Sequence, residues 1–274
     1  MNKDTLDKAL NRAINGGSAG FLAMTGQVFS MMWLRTMVNY QYKNGGNFTG
    51  TFKTLYKEGG IPRFYRGLSF ALMQAPLSRF GDTAMNIGMN TLLEDSNLNI
   101  AQKTFAGSLG AGLWRIGIMP IDTCKSSLQV HGKEGMKIVK NKISDSGFRV
   151  LYHGSSASAL STIVGHFPWF YTYNFLNETF PKQNYIDNNF KLVIRSACIG
   201  FASSSISDIT SNSFRVIKVN RQVSDSNIKY YELIKNIIKK ESIIGLFTRG
   251  LKTKIITNGI QGMMFTILFD YLRK

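Results

Sequence analysis

The chain has 274 residues, and 33 Lys+Arg against 16 Asp+Glu give a formal charge of +17, yet only 18% of its residues are charged, fewer than the roughly 25% of a soluble domain. With 44% hydrophobic and 12% aromatic residues there is ample material to bury, which excludes a disordered polycation, and five prolines beside 26 glycines exclude collagen-like and proline-rich designs. Cys124 and Cys198 are the only cysteines and stand far apart, which excludes a disulfide framework and any CxxC-type metal or redox motif; both read as packed thiols.

In chain order, Ala13 to Leu34 is a run of 22 residues without a formal charge, and Gly154 to Asn177 is another of 24 with His166 neutral. Each matches the roughly 20 residues of helix that cross a bilayer. Shorter uncharged runs occur at Gly67 to Ser78, Ser196 to Ser207 and Ile255 to Phe269, separated by sparse charges such as Arg79, Asp82, Arg115, Arg195 and Asp208. The small and polar residues inside these runs suit helices that pack closely and line a wet interior. No secretory signal or Arg/Ser-rich transit peptide is visible, so targeting information is expected to be internal.

Self-comparison finds a repeat of about ninety residues. Ser30–Arg35, Pro120–Lys125 and Ser213–Lys218 occupy corresponding positions, with starts 90 and 93 residues apart and a glycine 13 residues before each, at Gly17, Gly107 and Gly200. A second block follows each: Phe64-Tyr65-Arg66-Gly67, Leu151-Tyr152-His153-Gly154 and Phe247-Thr248-Arg249-Gly250. Three units, 1–95, 96–185 and 186–274, each read as a long helix, a basic loop with a short amphipathic helix, and a second long helix. In the loops Phe48, Phe52 and Leu55, and again Ile234, Ile237 and Ile238, share a helical face and are expected to pack on the bundle.

Loop charge alternates. Lys43 to Arg66 carries +4, His131 to His153 +3 and Arg221 to Arg249 +3, while Leu92 to Lys103 carries −1 and Glu178 to Lys191 carries 0. With six spans the three basic loops fall on one side, and the positive-inside bias puts them on the inner face and both termini outside. A soluble nucleic-acid-binding protein has no reason for this alternation, although the total charge alone would favour one. His131, His153 and His166 lack metal-ligand spacing and no nucleophile–base pattern stands out, so neither enzymatic chemistry, a metal nor a cofactor is expected.

These blocks resemble the mitochondrial carrier family over essentially the whole chain. The family signature, P-x-[DE]-x-x-[KR] followed after the loop helix by a glycine and then aromatic-[KR]-Gly, is met by Pro120, Asp122 and Lys125 and by Gly60, Tyr65, Arg66 and Gly67. The resemblance implies an all-α membrane protein, six transmembrane helices in a threefold pseudosymmetric bundle with three short loop helices, embedded in the mitochondrial inner membrane. It implies solute passage by alternating access, with kinks at Pro76, Pro120 and Pro168. On the matrix side it implies an ion-pair ring of Arg35, Asp122, Lys125, Arg215 and Lys218. Only the middle unit keeps Pro and Asp; Ser30 and Met32, and Ser213 and Arg215, replace them elsewhere. Four cations then surround Asp122 alone, which leaves open whether the cations snorkel to the interface or form a weak gate.

On the outer side the family pattern matches at Phe269, Asp270 and Arg273, while Tyr173-Asn174 and the stretch near Asn86 lack the acid. Solute contacts, carried over by local motif just before the even-helix prolines, are Met73 and Gln74, Gly165 and His166, and Asn258; Arg79 lies nearby, with Asp82 at i+3 as its expected ion-pair partner. The implied activity is exchange of a small anionic metabolite or nucleotide. The alternative is a degenerate carrier fold that binds or scaffolds without transporting. The expected partners are a small-molecule solute and membrane lipids, the basic loops being candidate seats for anionic phospholipid; no nucleic acid is expected and no oligomeric state is read.

Overall fold

The computed structural model describes the backbone of residues 3–181, 189–224 and 228–272, and side chains over 25–99, 102–181, 190–224 and 228–261 together with positions 7, 11 and 14. Among these residues all regular structure is helical: α1 (Lys3–Asn44), α2 (Phe48–Phe64), α3 (Leu68–Leu92), α4 (Ile100–Gly117), α5 (Met119–His131), α6 (Gly135–Ser146), α7 (Ser155–Thr179), α8 (Asn189–Val223), α9 (Tyr230–Thr248) and α10 (Leu251–Leu272). Six long rods emerge: α1, α3, α4 continued by α5, α7, α8 and α10. Each rod packs on the next in chain order, and α10 returns to α1, so the rods close a ring. The short helices α2, α6 and α9 lie in the three basic loops.

Local chemistry places the breaks. Gly45 and Gly46 take left-handed φ of 75° and 92° and end α1; the Asn47 side chain then accepts from Gly50 N at 2.8 Å and starts α2,. Asn99 and Gln102 form a reciprocal capping box at the head of α4,. At Ile118 (φ −87°, ψ 3°) α4 gives way to α5, with Pro120 in the first turn of the new helix, where its missing N–H costs nothing. Pro76 and Pro168 lie inside α3 and α7, which run on without a break.

The loops share one design. Each leads from its short helix through a residue with positive φ, Gly60, Gly147 or Ser242, to a left-handed glycine, Gly67, Gly154 or Gly250, that opens the next rod. Those last three glycines also touch the neighbouring unit: an added Cβ would sit 3.1 Å from Lys125 O, 2.9 Å from Lys218 O and 3.3 Å from Val38 O respectively. Each loop further delivers a cation to the C-terminal carbonyls of the odd rod it touches. Arg63 donates to Gln129 O and Val130 O (2.9 and 2.8 Å), Lys142 to Gln222 O (2.9 Å), and Arg249 to Lys43 O (3.0 Å). Positive charge at a helix C-terminus meets unpaired carbonyls and the negative end of the dipole. The interlock is cyclic, first unit to second, second to third, third to first.

Packing is close where the sequence is small. A Cβ on Gly81 would fall 1.9 Å from the Trp114 ring, and one on Gly165 3.0 Å from Ser207 Oγ. The loop apolar faces behave largely as expected: Leu55 and Ile237 are buried, Ile234 packs beside Ile237 and Phe48 beside Leu55, while Phe52 stays 40% exposed. Cys124 is half-buried, but Cys198 is exposed, not packed as its residue type suggested. Among the described residues Phe190–Val223 alone is long and apolar enough to cross a membrane by composition. The other rods carry polar residues that face the interior of the ring, which lowers their mean hydropathy.

Candidate functional site

Where α1, α5 and α8 converge at the basic-loop end, a polar layer lies over an apolar cluster that includes Val38, Tyr42, Val130, Val216, Val219 and Val223. Asp122, buried, is the centre of that layer. Lys125 donates to its Oδ1 and Lys218 to its Oδ2, both at 2.6 Å, and Gln222 Nε2 donates to Oδ2 at 2.9 Å. The carboxylate thus ties α5 to α8 by charge. At the two α1 junctions the structure shows neutral ties instead. Asn39 Nδ2 donates to Gln129 Oε1 between α1 and α5, and Asn220 Nδ2 to Tyr42 O between α8 and α1 (2.7 Å). Asn39, Gln129 and Gln222 are the same position of the repeat, nine residues after Ser30, Pro120 and Ser213.

The four ring cations do not crowd Asp122. Arg215 pairs instead with Asp208, buried seven residues earlier on α8. Arg35 reaches across to α10, where the Gln261 amide, oriented to satisfy both groups, accepts from Nε and Nη2 at 3.2 and 3.1 Å. The expectation of one anion against four cations is therefore corrected: a second carboxylate is folded into the bundle.

Beyond this layer the ring encloses a cavity of about 360 Å³. Arg35, Arg79, Arg115, Lys125, Arg215, Lys218 and Lys254 line it, with Asp82 and Asp122 as the acidic wall residues. Counting Asp208 behind the wall, seven cations face three carboxylates, a surplus of four. The pair Arg79–Asp82 expected from i,i+3 spacing is not formed. Asp82 accepts from Arg115 of α4 at 2.5 Å, joining two rods, and Arg79 makes no ion pair among the described residues.

Of the expected solute contacts, Gln74, Gly165 and His166 lie on the wall. Gln74 donates to Ser78 Oγ (2.7 Å) and accepts from Lys125 Nζ (2.8 Å), so the cavity wall and the Asp122 layer share a hydrogen bond. His166 Nδ1 lies 3.2 Å from Ser108 Oγ. Met73 is not on the wall and is 53% exposed, because one residue is a 100° step round a helix and its neighbour Gln74 faces inward. Asn258 stands behind the wall, accepting from Lys254 (2.9 Å) and donating to Asp208. The side chain of Asp270 and all of Arg273 lie outside the described residues.

Sequence reasoning anchored on the prolines misses a level of the wall. Pro76 is nine residues after its opening glycine and Pro168 fourteen, so they mark different heights. Counting seven residues from Gly67, Gly154 and Gly250 gives Gln74, Ser161 and Thr257, all buried and all on the cavity. Arg115 and Asp208, five residues before Pro120 and Ser213, read in sequence only as charges interrupting apolar runs; their matching register was the available signal.

Three helical hairpins thus close a ring around a cationic chamber. The family model for mitochondrial carrier protein matches this chain three times, at residues 6–95, 96–184 and 191–274, and the chain belongs to that family. It is 25% identical to mitochondrial thiamine pyrophosphate carrier 1 of Candida albicans over 65% of this chain and 64% of that one. It is also 25% identical to mitochondrial substrate carrier family protein X of Dictyostelium discoideum over 83% and 78%. A mitochondrial adenyl nucleotide antiporter of Xenopus laevis is 25% identical over 85% of this chain and 52% of its own length.

Proposed function

We propose that this protein exchanges a small anionic metabolite or nucleotide across the mitochondrial inner membrane by alternating access, as three hairpin repeats (1–95, 96–185 and 186–274) contributing six membrane spans, with both termini on the intermembrane side. The observation that carries the reading is the cavity: about 360 Å³ lined by seven cationic side chains. Such a surplus in a low-dielectric wall favours anions strongly. The names of the relatives, a thiamine pyrophosphate carrier and an adenyl nucleotide antiporter, support a phosphate-bearing solute.

The hydrogen bond from Lys125 to Gln74 supports a coupling between cavity and gate in such a cycle. An anion bound on the wall competes with Asp122 for Lys125, through Gln74 and directly, and so weakens the α5–α8 tie that closes the basic-loop end. A ligand moves a two-state equilibrium only by its differential affinity for the two states, and this competition is one source of it. Anionic phospholipid at the three basic loops would complement their charge.

The test is exchange in liposomes preloaded with thiamine pyrophosphate, adenine nucleotides, inorganic phosphate and dicarboxylates. Saturable exchange of at least one anion is expected. Ligand binding without any exchange would overturn transport and leave a non-transporting binder.

A further inference from the structure

Counted from the glycines that open them, α3, α7 and α10 present different chemistry at equal heights. Four residues on stand Ala71, Ser158 and Lys254; eight residues on stand Ala75, Thr162 and Asn258. At these two heights α3 therefore offers methyl groups, α7 hydroxyls and α10 an ammonium, while Gln74, between the two alanines, and Arg79 bring polar groups to other levels of the α3 wall. Lys254 is held in place: its Nζ donates to Asn258 Oδ1 at 2.9 Å, Asn258 Nδ2 donates to Asp208 Oδ2, and Asp208 Oδ1 takes Arg215. This chain of partners fixes the Asn258 amide with its oxygen toward the lysine.

Most wall cations are already committed. Lys125 and Lys218 share Asp122, Arg115 holds Asp82, Arg215 holds Asp208, and Arg35 is engaged by the Gln261 amide. Lys254 and Arg79 line the cavity and make no ion pair among the described residues. Lys254 is four residues into α10 and Arg79 is twelve beyond Gly67, an axial offset of about 12 Å at 1.5 Å per residue. Arg79 thus lies farther from the gate and Lys254 nearer to it.

We propose that the cavity holds its anionic ligand off the central axis, against α10, with Lys254 as the anchoring cation, Asn258 and Asp208 as positioning residues, and the uncharged face of the ligand toward Ala71 and Ala75. Arg79 receives the anion first and Lys254 retains it. The ammonium is a compact donor whose direct partner is a neutral amide oxygen, so a phosphate or carboxylate oxygen gains a charge-assisted bond there without breaking an ion pair. This rests on the anion-transport reading, and the experiment separates the two.

Thermal unfolding of the purified full chain is followed against inorganic diphosphate, inorganic phosphate and, as a cationic control, spermine. Diphosphate is expected to raise the apparent melting temperature of the unmodified protein, because a ligand of the folded form stabilises it. Lys254→Gln is expected to weaken the apparent diphosphate affinity about tenfold, as befits loss of a charged hydrogen-bond donor, and Lys254→Arg to hold it within about threefold, since the charge remains. Asn258→Ala frees the lysine and is expected to weaken affinity by about threefold or more through lost positioning; it serves if Lys254→Gln does not fold. Diphosphate affinity unchanged in Lys254→Gln, or in Asn258→Ala where that substitute is used, overturns the anchor while the anion cavity stands. No stabilisation of the unmodified protein by either anion overturns the anion reading itself.

Discussion

The second and third units solve the same electrostatic problem at different heights. In the second, Asp122 lies three residues from Lys125 and shares its carboxylate with Lys218 of the third, so the charge sits in the polar layer at the basic-loop end. In the third, Arg215 occupies the acidic position and its carboxylate is Asp208, seven residues earlier, so the charge balance sits beside the cavity, behind its wall. The loops differ too: the second has Gly147 at the break and His153 before its opening glycine, whereas the third has Ser242 and Arg249. A repeat can lose its signature acid if another turn of the same helix supplies one, but the acid then does a different job.

Asp122→Asn breaks this comparison most severely. It leaves Lys125 and Lys218 close together with an amide between them, and removing one member of a buried charge set costs about 3–5 kcal/mol. A large fall in melting temperature is expected, together with leak of solute from liposomes. Asp208→Asn removes the other acid. Arg215 keeps 25% of its side-chain surface exposed, toward a wet cavity, so the expected loss is smaller, about 1–3 kcal/mol. The effect should appear in solute affinity more than in leak. A thermal scan beside a leak assay separates the two, and equal leak from both variants would remove the distinction between the Asp122 layer and the Asp208 position.

Smaller effects sharpen the loop comparison. The His153 imidazole lies outside the rods, its Nδ1 buried without a hydrogen-bond partner. Burial first, then the nearby Arg221 and Lys142 charges, push its pKa down to about 4. An unfolded histidine takes its proton near 6.5, so between pH 6.5 and 4 the unfolded chain binds more protons and stability falls as pH falls. His153→Gln is expected to flatten melting temperature against pH in that window only. Ser242 is the non-glycine residue with positive φ (63°) among the described residues. Ser242→Gly is expected to stabilise by about 1 kcal/mol, the order of the left-handed penalty for a residue with a Cβ. A loss of stability in chemical or thermal unfolding would show that the serine hydroxyl outweighs the strain.

Much of the architecture was legible in the residues. Uncharged runs, the ninety-residue repeat and the alternating loop charge describe hairpins of rods with basic loops between them, because those features follow from local composition and spacing. The signature residues Asp122, Lys125 and Lys218 were legible for the same reason. The partner of Arg215 was not: Asp208 is two turns away on its own helix, and nothing in sequence says which turn the side chain reaches along. Asp82 shows the same limit from the other direction, since its partner was available at i−3 as Arg79 but the ring brought Arg115 of the next rod within 2.5 Å.

By itself the sequence determined that this protein is helical, threefold in its repeat and cationic within, since helix periodicity, glycine positions and net charge are properties of short stretches. Only tertiary structure decided which cation each carboxylate holds, which side of α3 meets the cavity, and that the α10 wall turns an ammonium into it. Those choices depend on the rotation and height of six helices relative to one another, quantities set by packing around a closed ring and written in no single segment.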